Sequence, residues 1–166
     1  AETFAKKHLD YVSQIYAKCY KEYQAEMRKN MTVDFDDLIM LTVKLFQEHQ
    51  DVLDYYQQKF HYIHVDEYQD TNYVQQCIVL QLTQEHHHVC AVGDDAQSIY
   101  GFRGANIDNI LDFQKIYPET KLFKLEQNYR STQNIVQAAN SLILHNKRQI
   151  HKDVYSRNAK GEKLVL

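Results

Sequence analysis

The 166-residue chain predicts an α/β fold with a parallel sheet, preceded by a helical segment. Three observations carry this. Apolar residues recur at helical spacing through the first third of the chain. After residue 59, short apolar runs alternate with helical stretches, and strands separated by helices pair in parallel. Finally, only four Gly and one Pro punctuate the chain, and Gly93, Gly101 and Gly104 fall within twelve consecutive residues. Long helices therefore dominate, and one loop concentrates the backbone freedom needed for a sharp turn or a close approach to a ligand.

Residues 3–29 read as one long helix, with Val12, Ile15, Tyr16, Cys19, Tyr20, Tyr23 and Met27 on one stripe. The tyrosines of 11–23 on that stripe read as core or subdomain interface rather than a nucleic-acid platform. A helix over 34–48 opens at Asp34 or Asp36 and buries Phe35, Leu38, Ile39, Leu45 and Phe46. Its acidic first turn suits the positive end of the helix dipole. A third helix covers about 51–59. The period changes at 60–65, where an aromatic and β-branched strand, flanked by His61 and His64 as packing residues, stops at Asp66-Glu67. Residues 72–84 are helical again, with Val74, Cys77, Ile78 and Leu82 on one face. A second strand over 88–92 ends at Gly93-Asp94-Asp95. His86-His87-His88 before it reads as a solvated loop rather than a metal site, because consecutive residues on an extended chain do not converge on one ion. A helix over 106–116 closes before Pro118, and 121–125 forms a third strand. Ser131-Thr132 caps a helix to about Asn146, beyond which Lys147, Arg148 and Lys152 read as a solvated face, with phosphate contact as the alternative. Residues 163–166 begin a further strand.

Composition narrows the class. The chain is 44% hydrophobic and 25% charged with a mean hydropathy of −0.60, which fits a globular protein and excludes collagenous, low-complexity and disulfide-framework chains. No run approaches the ~20 apolar residues of a membrane span. The net charge is −3, so any nucleic-acid contact is local rather than spread over a basic surface. Residues 1–7 carry no secretory pattern and no initiator Met, which predicts processing or excision. Cys19, Cys77 and Cys90 are far apart and make no CxxC, as expected of reduced core thiols in a cytoplasmic protein.

Ligands of open parallel sheets bind outside the carboxyl ends of the strands, and polar clusters fall at three such ends: 66–70, 94–103 and 126–130. In the first, an apolar strand ends on Asp66-Glu67. This is the pattern that holds Mg²⁺ on a nucleotide phosphate, with Asp66 as a hard oxygen ligand. Glu67 beside it can orient and deprotonate an attacking water. Taken alone the pattern is weak, since many strands end in acidic turns. The second cluster joins Gln97, Tyr100, Phe102 and Arg103 to the three glycines. A neutral amide can sense a phosphate oxygen or a water without adding charge, and exposed aromatics beside an Arg make a stacking platform for single-strand bases. In the third, Arg130 lies just before a helix N-terminus, where it opposes the dipole. A guanidinium so placed suits an arginine-finger role at a γ-phosphate.

Residues 66–72 (DEYQDTN), the 93–105 loop and 125–132 (LEQNYRST) resemble motifs II, III and IV of superfamily 1 DNA helicases of the UvrD/Rep/PcrA type, in the family's order. Residues 33–39 also resemble the segment the family carries before motif II. The resemblance implies a partial RecA-like P-loop NTPase domain. In it 1–58 is helical, 59–125 belongs to the first motor domain, and 126–166 begins the second. It implies that Asp66 helps hold Mg²⁺, Glu67 is the general base, and Gln97 couples the γ-phosphate to the DNA site. Tyr100, Phe102 and Arg103 would lie along the single-strand track or its coupling surface, with Phe102 where many relatives have Trp. Tyr129 would stack on the adenine of ATP, and Arg130 would contact the γ-phosphate.

The G-x-x-x-x-G-K-[ST] phosphate loop does not occur in the 166 residues, and no Gly precedes position 93. Motifs V and VI are absent as well. The expectation is a central piece of a longer 3′–5′ helicase acting on single-stranded and duplex DNA, inactive without the rest of that helicase. The resemblance also implies that the phosphate-loop strand sits beside 88–92, so that without it ladder groups are left unpaired, favouring a homodimer or a strand swap. The alternatives are a non-catalytic nucleic-acid or partner-binding module, or the motor part of a helicase-nuclease.

Overall fold

A computed structural model describes residues 2–165. The chain divides after Gln50 into two units.

The first unit holds α1 (Glu2–Lys7), α2 (Tyr11–Lys29) and α3 (Phe35–Glu48). The single helix expected over 3–29 is interrupted at 8–10. Asp10 is extended there, and its carboxylate accepts the Ser13 N–H at 2.9 Å. That bond satisfies one of the N–H groups a helix start leaves open, so a new helix begins at Tyr11. α3 opens on a capping box: Asp37 N–H donates to Asp34 at 2.8 Å, and Asp34 N–H donates back to Asp37 at 3.4 Å. The Tyr23 hydroxyl donates to the second Asp34 oxygen at 3.0 Å, tying α2 to this cap. The burial expected here is largely absent. Phe46 is buried, but Phe35 is 89% exposed and Leu38 and Leu45 are exposed too. Tyr11, Tyr16, Tyr20 and Tyr23 are likewise exposed and form no core.

The second unit contains α4 (Gln50–Lys59), β1 (Ile63–Val65), α5 (Tyr73–Thr83), β2 (Val89–Ala91), α6 (Asp108–Leu111), α7 (Phe113–Ile116), β3 (Gln127–Asn128), α8 (Gln133–Ile143) and β4 (Tyr155–Ser156). Short 3-10 turns at Tyr68–Asp70, Asp95–Gln97 and Gly101–Arg103 carry the loops that follow β1 and β2. β1 and β2 pair in parallel, with Ile63 opposite Val89 and Val65 opposite Ala91. β3 and β4 pair in parallel as Gln127 with Tyr155 and Asn128 with Ser156. Mixed helices and short parallel strands agree with the α/β expectation, but as two two-stranded sheets among the described residues.

Strand alternation sets the core. Ile63, Val65, Val89 and Ala91 are half-buried, while His64 and Cys90 between them are exposed on the opposite face. His64 and the exposed His61 are therefore not packing residues. Tyr68, Phe113 and Tyr117 fill the centre, with Val65, Leu80, Val89, Ala91 and Ile110 against them. Phe113 meets Tyr68 edge-on at 5.4 Å, a favoured aromatic geometry. The Thr83 and Tyr117 hydroxyls share a 2.6 Å hydrogen bond inside this core. The imidazoles of His86 and His88 bond the carbonyls of Phe60 and His61, each at 3.1 Å, and so tie their loop to the approach of β1.

Other expectations are corrected. The helix over 106–116 breaks at Asp112 into α6 and α7, one turn each. Residues 121–125 form no strand, and Phe123 and Leu125 are exposed. An apolar run becomes a strand only where a neighbour offers backbone partners, and pairing begins instead at Gln127. Thr132 starts α8 without a side-chain cap. The N–H groups of Gln133 and Asn134 donate instead to the carbonyls of Ala159 and Lys160, at 3.2 and 3.1 Å. α8 ends at Ile143 rather than Asn146. Residues 163–165 are not a strand, and Leu166 lies outside the described residues. Cys19 and Cys90 are exposed and Cys77 half-buried, so the free thiols are not core residues. No helix among the described residues is long and apolar enough to cross a membrane.

Candidate functional site

Parallel pairing sends the chain out of β1 and β2 at the same edge. Val92 N–H donates to Val65 O at 2.8 Å and Tyr68 N–H to Val92 O at 2.9 Å, extending the ladder past both strands. Asp66 and Glu67 thus leave the sheet beside Gly93 and Asp94.

Glu67 turns the chain. Its φ of 49° is left-handed, a conformation that costs a non-glycine residue about 1–3 kcal/mol. Asp66 Oδ1 accepts the Glu67 N–H at 2.9 Å and steadies this turn. The Glu67 side chain is held from the following residues: Gln69 Nε2 donates to Glu67 Oε2 at 2.8 Å. Gln69 is only 1% exposed, and its Oε1 accepts the Asp94 N–H at 3.0 Å. Its main-chain carbonyl accepts the Ser98 hydroxyl at 3.2 Å. Close approach explains the glycine of this loop. A Cβ on Gly93 would fall 2.5 Å from Gln69 Oε1 and 3.3 Å from the Tyr68 nitrogen.

Asp94 organises the second loop. Its carboxylate accepts Ala96 N–H at 3.0 Å, Gln97 Nε2 at 2.8 Å and Lys152 Nζ at 2.6 Å. Lys152 also donates to buried Asp95 at 2.8 Å, and Asp95 accepts the Ile150 N–H at 2.9 Å. Burial opposes the charge on Asp94, but the bonds from Lys152 and Gln97 outweigh it and hold the carboxyl below the usual range. Burial likewise works against Lys152, and its two aspartates outweigh that and raise its pKa. Lys152 therefore does not belong to a solvated face, and Arg148 pairs with Asp108.

The loop is strapped down again at its far end. Ala105 bridges to Asn72, and Asn106 N–H donates to Thr71 O at 3.0 Å. Buried Asn109 donates to the same carbonyl and to the Thr71 hydroxyl, each at 3.0 Å. Between the straps the Gly101–Arg103 turn projects, closed by Gly104 at φ +86°, where L side chains are strained. Arg103 Cζ lies 5.4 Å from the centroids of both the Tyr100 and Phe102 rings, which are themselves 6.0 Å apart. Phe102 is 79% exposed. An open ring backed by a cation can accept a stacked base.

Tyr129 and Arg130 stand apart, at the end of β3 in the other sheet. Asn128 Oδ1 accepts the N–H groups of Arg130 and Ser131, at 3.0 and 2.8 Å, and fixes the turn. Tyr129 and Arg130 are exposed, and among the described residues Arg130 forms no ion pair. The structure thus brings Asp66, Glu67 and Gln97 to neighbouring strand ends, and no hydrogen bond or ion pair among the described residues joins Arg130 to them. Sequence reasoning missed Gln69 and Lys152. Gln69 lies within a recognised motif, yet a neutral amide gives no local signal, and Lys152 finds its partners 57 and 58 positions away.

The acid pair on one parallel strand, with the amide and aromatic loop on the next, occurs in a chain that belongs to the UvrD/REP helicase family. Residues 2–118 match the UvrD/REP helicase N-terminal domain, and residues 123–166 match the UvrD-like helicase C-terminal domain. The chain is similar to the ATP-dependent DNA helicase PcrA of Leuconostoc citreum, with 52% identity over 162 residues. It is 50% identical over 163 residues to the PcrA of Staphylococcus epidermidis and 51% identical over 159 to that of Staphylococcus aureus. These alignments take in 98%, 98% and 96% of this chain but 22% of each relative.

Proposed function

We propose that the chain is the central part of an ATP-dependent DNA helicase that couples ATP hydrolysis to 3′–5′ movement on single-stranded DNA and to duplex unwinding. Residues 1–58 are its helical part, 59–125 part of a RecA-like first motor domain, and 126–166 the start of the second. The observation that carries the reading is the fastening of the loop after β1 to the loop after β2 through Gln69, Thr71 and Asn109. It ties a hydrolytic acid pair to an exposed aromatic platform in one rigid edge.

Each residue has a role under this reading. Glu67 is the general base: Gln69 occupies Oε2, and Oε1 has no protein partner among the described residues. Asp66 fits Mg²⁺. One oxygen accepts a backbone N–H, and no group of three His, Cys, Asp or Glu side chains gathers among the described residues. Mg²⁺ needs no such cage, since it binds through one or two carboxylates together with substrate phosphates and water. The chemistry supplied by the bound ion is neutralisation of phosphate charge. Gln97, held by Asp94 at the strand edge, reads the γ-phosphate. Tyr100, Phe102 and Arg103 contact single-stranded DNA, Tyr129 stacks on adenine, and Arg130 reaches the γ-phosphate when the motor closes on ATP.

The 166 residues hold no G-x-x-x-x-G-K-[ST] loop, so alone they hydrolyse ATP negligibly, because the backbone N–H groups and Lys that cradle the phosphates are not among them. Two-stranded sheets with Val92 and Leu125 exposed nearby also favour pairing of the isolated chain with a second copy.

The test is DNA-stimulated ATPase of the full-length helicase. Glu67→Gln should retain ATP binding and lose turnover by roughly 10²-fold or more, the scale of general-base catalysis. Wild-type turnover in that variant overturns the assignment.

A further inference from the structure

We infer that Gln69 is a positioning residue for hydrolysis, which aims the Glu67 carboxylate and makes it answer to the loop after β2. The inference rests on the reading of Glu67 as the base.

The amide can adopt only one orientation. The Asp94 main chain offers an N–H, which needs an acceptor, and Glu67 Oε2 lies within hydrogen-bond reach on the other side of the amide. Oε1 must therefore face Asp94, at 3.0 Å, and Nε2 must face Glu67, at 2.8 Å. One planar group has its acceptor set by one loop and its donor spent on the other, where Asp70 Oδ2 also accepts from Nε2 at 3.4 Å. Burial of the side chain prevents water from replacing either partner. The Gly93 backbone packs against the same amide so closely that a Cβ would meet Oε1 at 2.5 Å.

A buried glutamine could serve packing alone. Two features argue for more. Its donor goes to the side chain assigned as the base, whose own backbone sits in a left-handed turn. Its acceptor goes to the residue whose carboxylate holds Gln97 at 2.8 Å. Gln97, Asp94, Gln69 and Glu67 thus form a continuous hydrogen-bonded series. A shift of the loop after β2 moves the amide acceptor, and the rigid amide carries that shift to the carboxylate. A misplacement on the ångström scale at a reacting group costs on the order of 10²-fold in rate.

The experiment uses the full-length helicase with ATP, with and without saturating oligothymidylate. Gln69→Glu retains an acceptor for Asp94 N–H and removes the donor to Glu67; Gln69→Met removes both. Each should lower DNA-stimulated kcat by roughly 10- to 100-fold. KM for ATP and oligothymidylate affinity should stay within about twofold. Placed on Glu67→Gln, Gln69→Glu should add no further loss, because residues acting through one group are not additive. Wild-type kcat in both Gln69 variants, with Glu67→Gln inactive, overturns the positioning role and leaves the base assignment standing. Turnover in Glu67→Gln overturns the base assignment itself. Parallel losses in KM, DNA affinity and kcat assign Gln69 to packing and also overturn the proposal. If neither Gln69 variant folds, Gly93→Ala displaces the intact amide, and wild-type kcat in Gly93→Ala overturns it equally.

Discussion

Arg103 lies against two aromatic rings, yet only Phe102 of the pair is largely open to solvent. Phe102 presents the most open ring face to a base, with Tyr100 39% exposed and Arg103 exposed beside it. A base stacked on an aromatic ring contributes about 1–3 kcal/mol. Phe102→Ala in the full-length helicase should therefore weaken single-strand affinity by that amount. ATPase without DNA should be unaffected, because Phe102 takes no part in the hydrogen bonds that hold Asp66, Glu67 and Gln69. Fluorescence anisotropy with a labelled oligonucleotide at fixed salt checks the first expectation and a basal ATPase assay the second. Unchanged affinity would move the single-strand track away from this turn.

At the scale of the element, α5 follows the loop that carries Asp66 and Glu67, and its start is fixed in two ways. Asn72 and Gln75 form a reciprocal capping box, both bonds at 2.9 Å, and the Asn72 backbone bridges to Ala105. Asn72→Ala removes the cap and spares the bridge, so it should cost about 1 kcal/mol, read as a lower urea midpoint at unchanged slope. This element was legible in the sequence as a helical apolar pattern over 72–84, and the start of α3 at Asp34 was legible as a local signal. The β1 and β2 runs were legible for the same reason, and with them the neighbouring placement of the acid pair and Gln97. What failed depended on distant partners. The 121–125 run looks like a strand, but only a neighbouring backbone makes one, and the pairing falls at Gln127–Asn128. Asp10 sits inside a helical pattern, and its cap competes there with continuation of the helix. Thr132 looks like a cap, but carbonyls from residues 159 and 160 satisfy the helix start instead.

Across the second unit, Lys152 joins two stretches of sequence that match different domain models: Asp94 and Asp95 belong to the N-terminal match, and Lys152 to the C-terminal one. Of the other ties between these stretches, the Arg148–Asp108 pair is exposed and contributes little. Lys152 is different, with a side chain 19% exposed that bonds an Asp95 side chain only 3% exposed. Its removal leaves Asp95 with the Ile150 N–H but no counter-charge, so Lys152→Met should destabilise the unit by about 2–3 kcal/mol. The pH dependence follows from the direction of each shift. Asp94 titrates lower when folded, so its contribution is complete above the unfolded value of 3.8 and is lost as pH falls through the lower folded value. Lys152 titrates higher when folded, so its contribution is complete below 10.5 and is lost as pH rises through the higher folded value. The cluster therefore stabilises fully between these limits and fails on both sides. Urea midpoints followed by circular dichroism across that range should show the plateau. In Lys152→Met the alkaline decline due to this group should vanish and the acid decline should become shallower. Identical limbs in both proteins would mean that the cluster does not hold the two stretches together.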